Sequence, residues 1–334
     1  MTKRAAVLAG LSTLALMVPM TAGAEPVRPA PPMLGAPEVS TQSQRQKIDV
    51  MALWSHPDDD AGFTTPCGVW GDRFDVRCGI IMATRGEGGS NSVGNEAGPG
   101  LGLRRENEDR ASHVRTGTVD IFNIDRVDFY YNTSAPLTKE AWDGDEALRR
   151  VVRIIRETRP SIMIGWPPNF DYGHGNHQYA GRLVWEAVEA AADPTRFPEQ
   201  LSGVGAVEPW QVSKVIQQTG WGFPDEGSGG RQAPDCNVGY TPAPENPFTM
   251  AGTWSGYASP YTWVAGNTAG VPAGTPKTWA QVGREGGRAH PTQARVMQKE
   301  PWDASCLRFG VLQSVVPMQP NGTPDGDKDE SLFF

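Results

Sequence analysis

Two short clusters in the 334-residue chain carry side chains able to hold a metal ion: Ser55-His56-Pro57-Asp58-Asp59-Asp60 and Asp171-Tyr172-Gly173-His174-Gly175-Asn176-His177-Gln178. The first packs one imidazole and three carboxylates into five residues. So many like charges need a counter-charge, and a divalent cation supplies one. In the second, His174 and His177 are three apart, so one helical turn puts both on the same side. The flanking glycines let the backbone approach closely. His56, Asp59 and His177 together make a three-ligand N/O set, which is what a catalytic zinc uses when its fourth position stays open. Such an ion polarises a carbonyl and brings the pKa of a water towards neutrality. Asp58 is then the natural general base and His174 the natural electrophilic partner. Asp residues after a strand can also serve only as helix caps, and a lone HxxH is more often surface or core histidine than a ligand pair. The joint occurrence weighs against both plainer readings: three of the five histidines in the chain fall in these two clusters.

Both clusters follow strand-like apolar runs. These runs are Ile48–Trp54, Arg77–Thr84, Val119–Ile124 and Ser161–Trp166. Helix-like segments alternate with them at Arg104–Val114, Asp145–Thr158 and Gln178–Ala192. In the second of these helices Leu148, Val151, Val152 and Ile155 share one face, with Arg149, Arg150, Arg153 and Arg156 on the other. The alternation predicts an α/β domain with a mainly parallel sheet flanked by helices. Sites in such sheets lie beyond the carboxyl ends of the strands. After Pro198 the chain turns rich in Gly, Pro, Trp and Ser, with short strand candidates such as Ser213–Gln218. This part is expected to be a loop- and β-rich C-terminal extension of the same domain or a separate β module.

The envelope narrows the setting. A formal net charge of −8 argues against a nucleic-acid partner. Residues 1–24 have a basic start at Lys3 and Arg4, an apolar stretch and a small-residue exit at Ala22-Gly23-Ala24, the pattern of a secretory signal peptide. Residues 25–46, rich in Pro, Ala, Ser and Gln, read as a flexible leader. The domain is expected over 47–320, with 198–334 as its loop-rich C-terminal part. No integral membrane span is expected after signal cleavage, and the destination is secretion or the cell envelope or periplasm. Four cysteines, Cys67, Cys78, Cys236 and Cys306, suit disulfides in that compartment. A local Cys67–Cys78 loop with Cys236–Cys306 is one of the three possible connectivities.

At the two clusters the chain resembles the PIG-L/LmbE-like family of N-acetylglucosaminyl deacetylases. His56-Pro57-Asp58-Asp59 is similar to the family's HPDDE motif, and Gly173-His174-Gly175-Asn176-His177 to its GHxDH motif. Thr84-Arg85-Gly86-Glu87-Gly88-Gly89 is similar to its TxGExG loop. Arg105-Glu106-Asn107-Glu108 is similar to its RxxE helix start, and His290-Pro291-Thr292-Gln293 to its AHxSQ segment. The resemblance spans roughly residues 47 to 295. It implies a Rossmann-like fold and one zinc ion per chain on His56, Asp59 and His177. It also implies Asp58 as general base and His174 steadying the oxyanion. Arg105, with Arg104 as a rival, would hold substrate. Glu87 is a candidate for the substrate or for support of the zinc loop, Tyr172 for the oxyanion, and His290 for the cleft lining. Three features depart from the pattern: Asp60 stands for the usual Glu, Asn176 for the usual Asp, and the region after Pro198 is longer and richer in Trp and Gly.

The reaction expected is removal of an N-acetyl or other acyl group from an amino sugar or glycoconjugate, so a small molecule or glycan is the expected partner. Two other readings stand beside it: an amidase acting on an acylated non-sugar metabolite, and a non-catalytic carbohydrate-binding protein with a vestigial metal site. Trp210, Trp221, Trp254, Trp263 and Trp279 could stack on sugars, though packing anchors are the plainer role.

Overall fold

A computed structural model describes residues 47–114, 118, 120–129, 131–168, 173–218, 239–242, 252–255, 285–293 and 308–316. The strands are β1 (Val50–Trp54), β2 (Cys78–Met82), β3 (Asp120–Asn123), β4 (Ile162–Gly165), β5 (Lys214–Gln218), β6 (Gly239–Pro242), β7 (Gly252–Ser255) and β8 (Arg308–Ser314). The helices are α1 (Ala61–Phe74), α2 (Pro99–His113), α3 (Ala135–Ala141), α4 (Gly144–Thr158) and α5 (Gly175–Ala192). One sheet runs in the order β3-β2-β1-β4-β5-β8-β7-β6. The pairs from β3 through to β5 are all parallel, and β8, β7 and β6 continue antiparallel from β5. The expected mainly parallel α/β sheet is therefore the fold, and the later strands lengthen it rather than forming a sheet of their own.

Alternation along the strands builds a core on each face. Met51, Leu53, Ile81, Met163 and Val215 face α4 and α5 in one apolar cluster. Val50, Ala52, Trp54, Ile80, Met82, Ile162 and Ile164 form the other, with Phe63, Cys67 and Trp70 of α1 packed on them. A helix over 61–74 was not expected from the sequence. Its Gly, Thr and Pro66 are poor helix formers, and it is the burial of Phe63, Cys67 and Trp70 at i, i+4 and i+7 that overrides them. α2 starts five residues earlier than expected, with Pro99 in its first turn, where a missing N–H costs nothing. A disulfide joins Cys67 of α1 to Cys78 of β2. Cys236 and Cys306 lie outside the described residues.

One arginine departs from the expected solvent face of α4. Arg156 is buried and donates to the carbonyls of Ala190 (3.0 Å) and Ala191 (3.2 Å) at the end of α5. It also reaches those of Asp193 and Arg196, at 2.9 and 2.8 Å. A helix leaves its last carbonyls without intrahelical donors, and this guanidinium satisfies them. Among the described residues, no helix is long and apolar enough to cross a membrane.

Candidate metal centre and active site

β1 has β2 on one side and β4 on the other, and the chain leaves the two central strands in parallel. Their carboxyl ends therefore open onto one crevice, at the place where the strand order reverses. The loop after β1 and the N-terminus of α5 meet there, although His56 and His177 are 121 positions apart.

His56 Nδ1 lies 3.1 Å from His177 Nε2. His177 Nε2 lies 3.0 Å from Asp59 Oδ1, and His56 Nδ1 lies 3.3 Å from Asp59 Oδ2. Ligands bonded tetrahedrally to one ion at 2.0–2.1 Å would be about 3.3 Å apart. The donor set thus fits a zinc-class ion in chemistry and spacing. Asp59 Oδ2 also accepts from the backbone N–H groups of Ser55 (3.1 Å) and His56 (3.0 Å), which closes the loop around the carboxylate. His174 stands at the N-cap of α5, and its ring lies 4.8 Å from that of His56 and 4.2 Å from that of His177. Its nitrogens are close enough to theirs to join the same ion. Burial, with the nearby His56 and His177, lowers its pKa to about 4, so it stands neutral at ordinary pH.

Gly175 permits this arrangement. A Cβ there would overlap the side-chain oxygen of Asn132 and the backbone of Ser134, and the Gly175 N–H donates to Asn132 O at 2.8 Å. Asp58 adopts a φ of 148°, a conformation that costs a non-glycine residue on the order of 1–3 kcal/mol and that concentrates at functional sites. Burial and the Asp59 carboxylate push the Asp58 pKa up to about 8 against the opposing pull of His56 and Arg105.

A partner that sequence reasoning missed stands behind His56. Asp128 Oδ1 lies 3.3 Å from His56 Nε2 and accepts from Asn176 Nδ2 at 2.9 Å. A ligand imidazole commonly turns its second nitrogen to a carboxylate in this way. The other Asp128 oxygen accepts from the Gly88 N–H at 3.1 Å. Burial lowers the pKa of His56, but Asp59 and Asp128 outweigh it and hold it at about 10. Asp128 sits in a stretch without periodicity or motif, so nothing in its surroundings in sequence marks it.

The expected substrate residues fall in different places. Arg105 is buried and donates to the carbonyls of Gly86 (3.0 Å) and Ser90 (2.8 Å), so it ties down the 86–90 loop. Its rival Arg104 pairs with Glu96 and Glu108. Glu87 accepts from the Arg85 and Asp128 backbone N–H groups at 3.1 and 2.9 Å, a support to the loop that carries Asp128. His290 is fully buried beside Asp60 and Asp109 rather than in the crevice. Tyr172 lies outside the described residues, as do Trp221, Trp263, Trp279 and the side chain of Trp254. Trp210 packs against the core and donates to Pro160 O at 2.7 Å, the role of an anchor.

The profile of the GlcNAc-PI de-N-acetylase family, PIG-L, matches residues 51–188. That span starts in β1, ends in α5 and holds both clusters. A 1D-myo-inositol 2-acetamido-2-deoxy-alpha-D-glucopyranoside deacetylase of Catenulispora acidiphila is 29% identical over 214 residues, 58% of this chain and 60% of that protein. The same-named deacetylase of Thermobispora bispora is 42% identical over 73 residues, 22% of each chain. The matches thus span 60% or less of these two relatives' lengths. Among solved structures, the N,N'-diacetylchitobiose deacetylase from Pyrococcus horikoshii aligns with a TM-score of 0.43 at 20% identity, over 51% of this chain and 59% of that one. The conserved protein TT1542 from Thermus thermophilus aligns at 0.46 and 16% identity, over 83% and 99%. Residues 51–188, which hold both clusters, are thus similar to the PIG-L family.

Proposed function

We propose that this chain is an exported, metal-dependent hydrolase that removes an acetyl group from the amide nitrogen of an amino sugar. One observation carries the reading: His56, Asp59 and His177 bring three ligand atoms to within 3.3 Å of a neighbour at the carboxyl ends of β1 and β4. Asp58 and His174, an acid–base group and a neutral donor, stand beside them. The names of the curated relatives, deacetylases of an acetamido sugar, support the substrate class. The leader pattern of residues 1–24 and the Cys67–Cys78 bridge support export.

A zinc-class ion on the three ligands supplies Lewis acidity for the amide carbonyl and for the attacking water. Asp58 takes the water's proton as the new C–O bond forms. The neutral His174 donates a hydrogen bond to the oxyanion. The proton held by Asp58 then passes to the departing nitrogen as the C–N bond breaks, giving a carboxylic acid and a free amine. Asp128 and Asn176 keep the His56 ring turned towards the ligand set throughout.

The test is acetate release from a panel of N-acetylated saccharides, with and without chelator, and with Asp58→Ala as control. Release that needs both the metal and Asp58 supports the reading. Release that persists in Asp58→Ala removes that residue as the base. No release from any saccharide by metal-loaded protein overturns the proposed substrate class.

A further inference from the structure

A second group of ionisable side chains lies next to the first along the chain, and the chemistry above does not use it. Asp60, Asp109, His113 and His290 are each no more than 1% exposed. They come from the loop after β1, from α2 and from the 285–293 segment. His113 Nε2 contacts Asp60 Oδ2 and lies 3.4 Å from Asp109 Oδ1. Ligand atoms of Asp60, Asp109 and His290 all lie within 4.8 Å of one another. Asp109 and His113 are four apart on α2, so the helix presents them on one face. The second nitrogen of His113, Nδ1, lies 3.2 Å from Thr118 Oγ1, the outward contact that orients a ligand imidazole.

Buried oxygens around the group lack partners. Asp60 Oδ1, Thr64 Oγ1 and Ser112 Oγ make no hydrogen bond among the described residues. Thr64 stands one turn after Asp60 on α1, and Ser112 one turn after Asp109 on α2. Gly286 passes close over both: a Cβ there would lie 2.8 Å from Thr64 Cγ2 and 3.0 Å from Ser112 Oγ. Unsatisfied oxygens gathered in a protein interior call for an ion or a water.

The donor set distinguishes the candidates. Two carboxylates and two neutral imidazoles cancel the charge of one divalent ion, and two nitrogens with two oxygens complete a closed tetrahedral set. We infer that Asp60, Asp109, His113 and His290 form a second, structural site for a zinc-class divalent ion. It fastens α2 and the 285–293 segment to the loop that carries the first site. This inference stands apart from the hydrolase reading.

The test is a metal count. Full-length protein without affinity tag is equilibrated with zinc, and its bound metal is measured by mass spectrometry. The expected result is two equivalents in the wild type, one in His56→Ala/His177→Ala, and one in Asp109→Asn. Cobalt bound to His56→Ala/His177→Ala should show the visible bands of a tetrahedral N/O site. One equivalent in the wild type with none in the double variant would overturn the site in favour of a proton-linked network. Two equivalents retained in Asp109→Asn would overturn it as well, since the ion would then lie elsewhere. The first two counts decide the matter by themselves, so poor folding of Asp109→Asn leaves the test intact.

Discussion

At the scale of single residues, His174 and Asp128 make separable contributions. His174 is neutral and beside the ligand set, so His174→Ala should keep the metal and lose turnover by about 10²- to 10³-fold, the usual effect of removing one oxyanion donor. Metal content and kcat measured on one preparation check this; full turnover with metal bound would remove the role. Asp128 orients His56, and losing such a partner typically weakens metal binding about 10- to 100-fold. Asp128→Asn should therefore lose affinity by that amount in a chelator competition, and unchanged affinity would dismiss it. His56 adds a pH dependence. Its raised pKa of about 10 means that the metal-free protein holds a proton there. The ion must displace that proton, so affinity should rise with pH, by about tenfold per unit below pH 10 if one proton leaves. Competition titrations at several pH values read this slope. That His56, Asp59, His174 and His177 gather at one crevice was legible in residue type and spacing. Asp128 was not, since it acts through a contact 72 positions from His56 in sequence that only the fold creates.

Elements show the same division. β1, β2, β3 and β4 were legible from apolar runs, and α4 from its period, because local burial decides them. α1 was not, because its residues favour a helix only once the sheet offers a surface for Phe63 and Trp70. Likewise the arginines of α4 read as a solvent face, whereas Arg156 is buried to serve the end of α5. The entry to α5 is the most constrained junction. Gly175→Ala would force a Cβ into Asn132 and the backbone of Ser134. Overpacking of that kind costs about 1–3 kcal/mol, and urea unfolding should show the loss. Metal affinity should fall too, because the shift moves His174 and His177 with the helix.

For the whole molecule, a buried lysine reports on stability. Lys214 on β5 is 1% exposed, and burial lowers its pKa from 10.5 to about 8. The unfolded chain therefore binds more protons between those two values, and stability should rise with pH across that window. Below pH 8 the penalty is present in full. Lys214→Met should raise the melting temperature at pH 7, with a gain that shrinks towards pH 10.5. An equal gain at both ends would show that packing, not the charge, is responsible.

The separation of the first site's two halves has a consequence for how the chain meets its ion. An unfolded chain would have to close a loop of 121 residues to bring His56 to His177, at an entropic cost of about 4 kcal/mol before any ligand is oriented. Collapsed chains with β1 and β4 unpaired offer only half a chelate. Binding is then selective for the finished register, so the ion deepens the native well while leaving its competitors untouched. Metal supply would thus act as a check on completed folding at this site, since a chain stalled before α5 lacks the His174 and His177 half of the chelate.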